Sequence, residues 1–353
     1  MLMKVYAESA RQAGEAEDTR LQRRRLPRKR GIICSLVVAA AALALLFARL
    51  QWLDGRSQKP ETRGDLSARY EETQVEFQGE TYRLRSNLTA ILFLGIDQAA
   101  REPGEADGRS GGNADFLRLV VVDSNEKTVS QIQIDRDTVA MAPTLNLIGQ
   151  RTDAQPMQIA LSHSYGDGKN ESCELTVEAV SGLLLDIPIP YYAALNLDGI
   201  EALNDFVGGV TVTVEDDFSG IDPAMVQGTS MRLIGKQAET FVRNRRDLPV
   251  GTNEARMARQ QAYLTGLIEI IQENLKQDKE YIGRLFDALS PYLVTNLSRA
   301  QMVNTAWKAR DYGQQPLRVI PGSRRIGGTG YAEFIPDEEA LRQIILSVFY
   351  RKL

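Results

Sequence analysis

The run Thr89 to Ile96, TAILFLGI, decides how the rest of the chain is read. It is short, almost wholly apolar and followed at once by Asp97, the pattern of a strand buried on both faces. Phe116 to Val122, FLRLVVV, has the same character. A turn at Asp123-Ser124-Asn125-Glu126 then leads into Val129 to Ile134, VSQIQI, whose alternation suits a half-buried strand. If these three strands are antiparallel neighbours, the end of the first (Asp97), the start of the second (Asp115) and the end of the third (Arg136, Asp137) share one sheet edge. The polar, glycine-rich loop between Asp97 and Asp115, AREPGEADGRSGGNA, is long enough to fold over that edge.

Further along, helical patterns are expected near Pro156 to His163 and Glu174 to Leu185, then a strand at Tyr191 to Leu197. A helix near Gly199 to Phe206, a strand at Val210 to Val214 and a helix at Gly235 to Val242 follow. After a long helix from Glu254 to about Leu275 come helices near Tyr281 to Leu289 and Arg299 to Arg310. A strand at Leu317 to Ile320, a glycine-rich loop at Gly327 to Gly330 and a helix from Asp337 complete the order. Strands alternate with helices after an antiparallel start, so the fold class is α/β, a mixed β-sheet flanked by helices.

The N-terminal part has a different composition. Residues 1–30 are polar and end in Arg23 to Arg30, RRRLPRKR; Gly31 to Ala48, GIICSLVVAAAALALLFA, then carries no charge for 18 residues. As helix that run is about 27 Å long, enough to cross a bilayer. The preceding basic cluster and Trp52 at the far edge predict a cytoplasmic tail (1–30), one transmembrane helix (31–50), a polar linker (51–75) and a single extracytoplasmic domain (76–353). Cys34 lies in the span and Cys173 is alone beyond it, so no intrachain disulfide is available to that domain. A net charge of −4 argues against a globally basic nucleic-acid binder.

Phe241 to Leu264, FVRNRRDLPVGTNEARMARQQAYL, holds five arginines around one helix start. Gly251-Thr252-Asn253 reads as turn and N-cap, which puts Arg256 in the first turn, where a cation is disfavoured unless an anion is near. Guanidinium forks beside exposed helix N–H groups suit phosphate oxygens. On a helical wheel Met257, Leu264, Ile268 and Ile271 mark the buried face, with Arg256 and Gln260 at its edge and Arg259 further round. Asp97 and Asp115 together are a plausible hard-cation pair. The one histidine, His163, reads as a helix-end residue rather than a base, and no HExxH, CxxC, GxSxG or Walker loop is present. Phosphoryl transfer by arginine and metal stabilisation, with an acceptor hydroxyl attacking directly, needs none of these.

In order, ILFLGID, NADFLRLVVVD, QIDRDT, YGDG, LLLDIPIPYYAALNLDGIEALNDFVGGVTVTV and FVRNRR…GTNEARMARQQ resemble the LytR-CpsA-Psr (LCP) family of bacterial cell-envelope proteins. The resemblance covers residues 89 to about 275. It implies an LCP-like domain with an apolar pocket for a polyprenyl chain. The implied activity is transfer of a teichoic-acid-like or capsular glycopolymer from a polyprenyl pyrophosphate carrier to peptidoglycan. By motif position, Asp97 and Asp115 would coordinate Mg²⁺, and Arg136, Arg243, Arg245, Arg256 and Gln260 would hold the pyrophosphate. Arg259 and Asp137 match motif positions without so definite a role. Three departures stand out. Asn113-Ala114-Asp115-Phe116 replaces R-S-D-T, which removes an arginine that Arg109 or Arg118 could replace. Asp135 stands where proline is usual, and Asn253 stands where aspartate is usual. Two alternatives to transfer stand beside it: hydrolysis of the carrier-linked glycan with water as acceptor, and, motivated by Asn113 and Asn253, a non-catalytic lipid-glycan scaffold.

Overall fold

The computed structural model of the chain describes residues 74–98, 111–146, 149–244, 248–249, 251–328 and 330–353. They fall in one compact unit, Arg69–Leu353. The expected cytoplasmic tail and transmembrane helix, and the linker as far as residue 73, lie outside these residues. No helix among those described is long and apolar enough to cross a membrane.

The described chain starts with a hairpin, β1 (Gln74–Phe77) and β2 (Glu80–Leu84). Gln78 and Gly79 turn it, both at positive φ, as a two-residue hairpin loop requires. Next come β3 (Leu88–Ile96), β4 (Ala114–Asp123) and β5 (Thr128–Ile134), paired antiparallel as the sequence implied. A second hairpin, β6 (Val139–Leu145) with β7 (Arg151–Gln158), leads to a 3-10 helix (Ile159–Tyr165) and α1 (Asn170–Leu183). The helix expected at Pro156 to His163 is therefore a strand end followed by a 3-10 turn. Most of β7 is exposed, so it displays no apolar alternation to read.

Downstream lie β8 (Tyr191–Asn196), α2 (Asp198–Phe206), β9 (Thr211–Thr213), β10 (Ser230–Arg232) and α3 (Gln237–Arg243). Then follow α4 (Asn253–Gln277), α5 (Tyr281–Leu289), β11 (Leu293–Thr295), α6 (Arg299–Ala309), β12 (Gly313–Gln314) and β13 (Arg318–Val319). A third hairpin, β14 (Gly322–Ile326) and β15 (Ala332–Pro336), precedes α7 (Glu338–Phe349) and β16 (Tyr350–Lys352). The central sheet runs β11-β8-β3-β4-β5-β12, with β13 also on β5. β3 and β8 are parallel while β3–β4 and β4–β5 are antiparallel, so the sheet is mixed as expected. At the opposite end of the domain β16 closes on β2, Tyr350 opposite Leu84.

Alternation gives the central sheet two different faces. Leu92, Leu117, Leu119, Val121 and Ile132 are buried on one, where the 3-10 helix packs on β4 and α1 packs on the 3-10 helix. Ile91, Phe93, Phe116, Arg118, Val120 and Val122 are on the other, where they line a cavity of about 510 Å³ roofed by α2, α4, α5 and α6. The cavity follows β4 from Asp115 to Val122, roughly 24 Å at the usual rise per strand residue.

Candidate active site at the cavity mouth

Asp97 and Asp115 stand at one end of this cavity because the β3–β4 ladder is irregular there. Gly95 faces Phe116 and Ile96 faces Ala114, which leaves Asp115 as the extra residue of a bulge. A bulge re-aims the side chain it carries, here toward the cavity mouth. Asp97 is fixed by its own N–H, which donates to Asn113 O at 2.9 Å. His163 pins the chain just before: buried, its Nδ1 donates to the Gly111 carbonyl at 2.7 Å and also contacts Gly112 O at 3.2 Å. Burial holds this imidazole below its ordinary pKa, which agrees with a neutral ring that orders a loop end.

The arginines converge on these carboxylates. Asp115 Oδ1 accepts from Arg136 Nη1, and its Oδ2 accepts from Arg256 Nη1 at 2.9 Å. Arg243 Nη2 donates to Asp97 Oδ1 at 3.1 Å. Gln260 lines the mouth and donates to Val242 O at 3.3 Å, which ties α4 to the end of α3. Asp97, Asp115, Arg136, Arg243, Arg256 and Gln260 thus come from five separate places in the chain to one site. Two carboxylates at one mouth are the donor set that a small hard cation such as Mg²⁺ accepts, water and phosphate oxygens completing its shell. Among the described residues no third His, Cys, Asp or Glu joins them to form a metal cluster.

Two expected residues have other surroundings, and a third is out of view. Arg259 is buried away from the cavity lining, its Nε donating to Phe241 O at 2.8 Å and its Nη atoms to Asp216 and the Asn244 carbonyl. It clamps the end of α3 to α4. Asp137 lies behind the mouth, 3.4 Å from Arg136 Nε and 3.2 Å from Arg324 Nη1, and so positions Arg136. Arg245 is outside the described residues, as is Arg109. The buried stripe of α4 is rotated from the expected one: its buried positions are Asn253, Arg256, Arg259, Tyr263, Leu267 and Leu275. Hydropathy scores a buried guanidinium as surface, which pulls the apparent apolar stripe toward Leu264 and Ile268. Thr252 is the N-cap, its Oγ1 accepting from Ala255 N at 3.2 Å.

The departures at 135 and 253 meet in space. Asn253 Oδ1 accepts from Arg256 Nη2 at 2.7 Å, so Arg256 keeps a partner at this position. The Asn253 amide donates to both oxygens of Asp135, at 3.2 and 3.3 Å. A carboxylate expected on the helix is thus supplied from the end of β5, one hydrogen bond further from Arg256. Burial raises the Asp135 pKa, and its backbone bond to Asp137 and nearby Arg324 oppose that rise. Arg324 was not singled out in the sequence. It sits on β14 and forms ion pairs with Asp135, Asp137 and Glu254. The β14–β15 hairpin is held there by Phe334 N donating to Asp137 O at 2.8 Å and by Gln158 Nε2 donating to Ala332 O at 2.6 Å. Its only visible signal was a pair of adjacent arginines before a glycine-rich loop.

Known proteins agree with this architecture. The chain is 27% identical over 255 residues, 72% of its length and 76% of the relative's, to "Polyisoprenyl-teichoic acid--peptidoglycan teichoic acid transferase TagU" of Bacillus cereus (strain AH820). It is 25% identical over 319 residues, 88% of its length and 93% of the relative's, to the protein of the same name from Halalkalibacterium halodurans. Among solved structures, B. subtilis TagV superposes with a TM-score of 0.58 at 24% identity, covering 75% of this chain and 97% of TagV. TagT bound to LI-WTA superposes with a TM-score of 0.55 at 21% identity, covering 74% of this chain and 89% of that one. With the LytR_cpsA_psr family model matching residues 52–345, the chain belongs to that family.

Proposed function

We propose that this protein transfers a glycopolymer, teichoic-acid-like or capsular, from a polyprenyl pyrophosphate carrier to peptidoglycan. The single observation that carries the reading is an apolar cavity roughly 24 Å long that opens onto Asp97, Asp115, Arg136, Arg243 and Arg256. A hydrocarbon chain fits the first part and a diphosphate the second. The curated relatives are named as teichoic acid transferases acting from a polyisoprenyl carrier to peptidoglycan, which supports the same reaction class.

In the free site the arginines neutralise two carboxylates. A bound diphosphate draws the same forks, and arginine–phosphate pairs are bidentate and charge-assisted. Arg136 and Arg256, already converged on Asp115, hold the reacting phosphoryl group between them, and Arg243 reaches it from α3. An acceptor hydroxyl of peptidoglycan forms a P–O bond to the glycan-side phosphorus. The acceptor O–H bond gives its proton to water at the exposed mouth, the bridging P–O bond breaks, and its electron pair goes to the carrier phosphate. Charge accumulates on oxygens that the arginine forks already face, so the stabilisation grows toward the transition state. Asp97 and Asp115 would hold Mg²⁺, which when bound supplies further charge neutralisation at the phosphate oxygens. Asp137, Asn253 and Asp135 act behind this layer by orienting Arg136 and Arg256. The glycan and acceptor meet at the exposed mouth, which fits a domain held outside the membrane by a helix at residues 31–50.

The test is turnover of a polyprenyl-pyrophosphate glycan with Mg²⁺, in the presence and absence of peptidoglycan. Polyprenyl phosphate and peptidoglycan-linked glycan are the expected products. Free glycan phosphate formed equally without peptidoglycan would assign hydrolysis instead, and undiminished turnover by Asp97→Ala or Arg256→Ala would overturn the residue assignment.

A further inference from the structure

Arg118 is a cation placed inside the greasy part of the cavity, three residues along β4 from Asp115 and so roughly 10 Å inward of the mouth. It is 4% exposed, yet no carboxylate among the described residues pairs with it. Its partners are all neutral amides. Nε and Nη2 donate to Gln133 Oε1 at 2.9 and 2.6 Å, Nη2 donates to Gln261 Oε1 on α4 at 2.8 Å, and Nη1 reaches Gln131 Oε1 only at 3.4 Å. Gln133 is itself fixed, its Nε2 donating to Leu117 O at 3.0 Å. The Phe116 ring lies 5.3 Å from the guanidinium centre on the mouth side. Burial lowers the Arg118 pKa only to about 10, so the fork is charged at neutral pH.

Glutamine oxygens solvate this charge without cancelling it. A guanidinium has five N–H donors, and Nη1, on the side of the cavity-lining Gln131, has the weakest partner of the three nitrogens. A neutral hydrocarbon filling the cavity would desolvate the charge further and return nothing, whereas an oxyanion would add charge-assisted bonds in a low-dielectric surrounding. Were stability the only demand, an apolar side chain of similar volume would serve as well or better.

We infer that Arg118, with Gln131, Gln133 and Gln261 around it, forms a second oxyanion subsite inside the cavity. It receives the phosphate head of a single-chain amphiphile whose tail occupies the remaining apolar length. The carrier monophosphate released at the mouth belongs to this class. That identification rests on the reaction proposed above, while the subsite rests on the cavity geometry alone.

The experiment measures binding of dodecyl phosphate, dodecanol and inorganic phosphate to the full-length protein in lipid nanodiscs, with protein-free nanodiscs subtracted. Dodecyl phosphate is expected to bind at least about ten-fold more tightly than either comparator, the size of one charge-assisted bond. Arg118→Met removes most of that preference, Arg118→Lys keeps part of it, and Arg284→Met, an exposed position outside the cavity lining, leaves it in place. Melting of each variant checks folding. Arg118→Met is expected to melt no lower than the parent, so its loss of preference reads as lost binding. A preference lost in Arg256→Met and kept in Arg118→Met would overturn the subsite by placing the head group at the mouth, and would leave the transferase reading standing. Equal binding of inorganic phosphate would overturn the assignment to an amphiphile.

Discussion

The two faces of the central sheet are built by the same strands from alternate residues, and they end in opposite states. Leu117, Leu119 and Val121 close onto the 3-10 helix and α1. Phe116, Arg118, Val120 and Val122 border an open cavity. Helices cover both faces, so exposure to bulk solvent does not explain the difference. α4 and its neighbours roof the cavity instead of closing on the sheet, with Arg256 and Gln260 at the mouth and Arg118, bonded to Gln261, further in. The closed face carries stability, and the open face trades packing for the capacity to take a ligand.

The largest effect expected on this comparison is structural. Leu119→Ala should lower stability by about 2–5 kcal/mol in urea unfolding, because the closed face cannot collapse into the hole. Val120→Ala, one residue on but facing the cavity, should cost well under that, about 1 kcal/mol or less. Equal losses would show that the cavity is packed in solution. The same contrast holds between two arginines on α4. Arg259→Met strands Asp216 and two carbonyls, and should destabilise by roughly 3 kcal/mol. Arg256→Met leaves Asp115 its Arg136 partner, so it should destabilise by less, about 1–2 kcal/mol, and reduce turnover about 100-fold or more, the usual cost of removing one charge-stabilising donor. Next in size, Val120→Phe should shrink the cavity and weaken binding of a polyprenyl phosphate about ten-fold without loss of stability, read by direct titration. The smallest effect concerns His163. Its folded pKa lies below its ordinary value because of burial, so the unfolded chain takes up the proton first as pH falls. Its contribution is therefore constant above the ordinary histidine range and lost below it, by at most about 1.4 kcal/mol per pH unit. His163→Gln should flatten stability across pH 7 to 5 relative to the parent.

The central strands were legible because TAILFLGI and FLRLVVV are short apolar runs and VSQIQI alternates, and their turns fix the shared edge. Asp97, Asp115, Arg136, Arg243, Arg256 and Gln260 were legible through motif position and helix-start chemistry, and the structure brings them together. What escaped notice follows from the same physics. β14 is exposed along its whole length and has no apolar period, so Arg324 gave no sign of reaching Asp135 from nearly two hundred residues away. β7, largely exposed, was hidden for the same reason. The charge inside FLRLVVV was visible from the start, but only the cavity shows that Arg118 points into an apolar space rather than toward Asp115. The role of Arg259 was left open by its motif position, which says nothing about the carbonyls that claim its fork.

The three-stranded sheet at the far end of the domain, β1-β2-β16, has a consequence for how the protein is made. Leu84 waits for Tyr350 as its register partner, and Asp135 waits for Arg324. Residues emerging early from the ribosome thus lack their mates until almost all the rest has followed, and such distant pairings raise the entropic barrier to folding. A nascent chain halted before residue 320 would accordingly possess neither the terminal clasp nor the Arg324 ion pairs behind the cavity mouth.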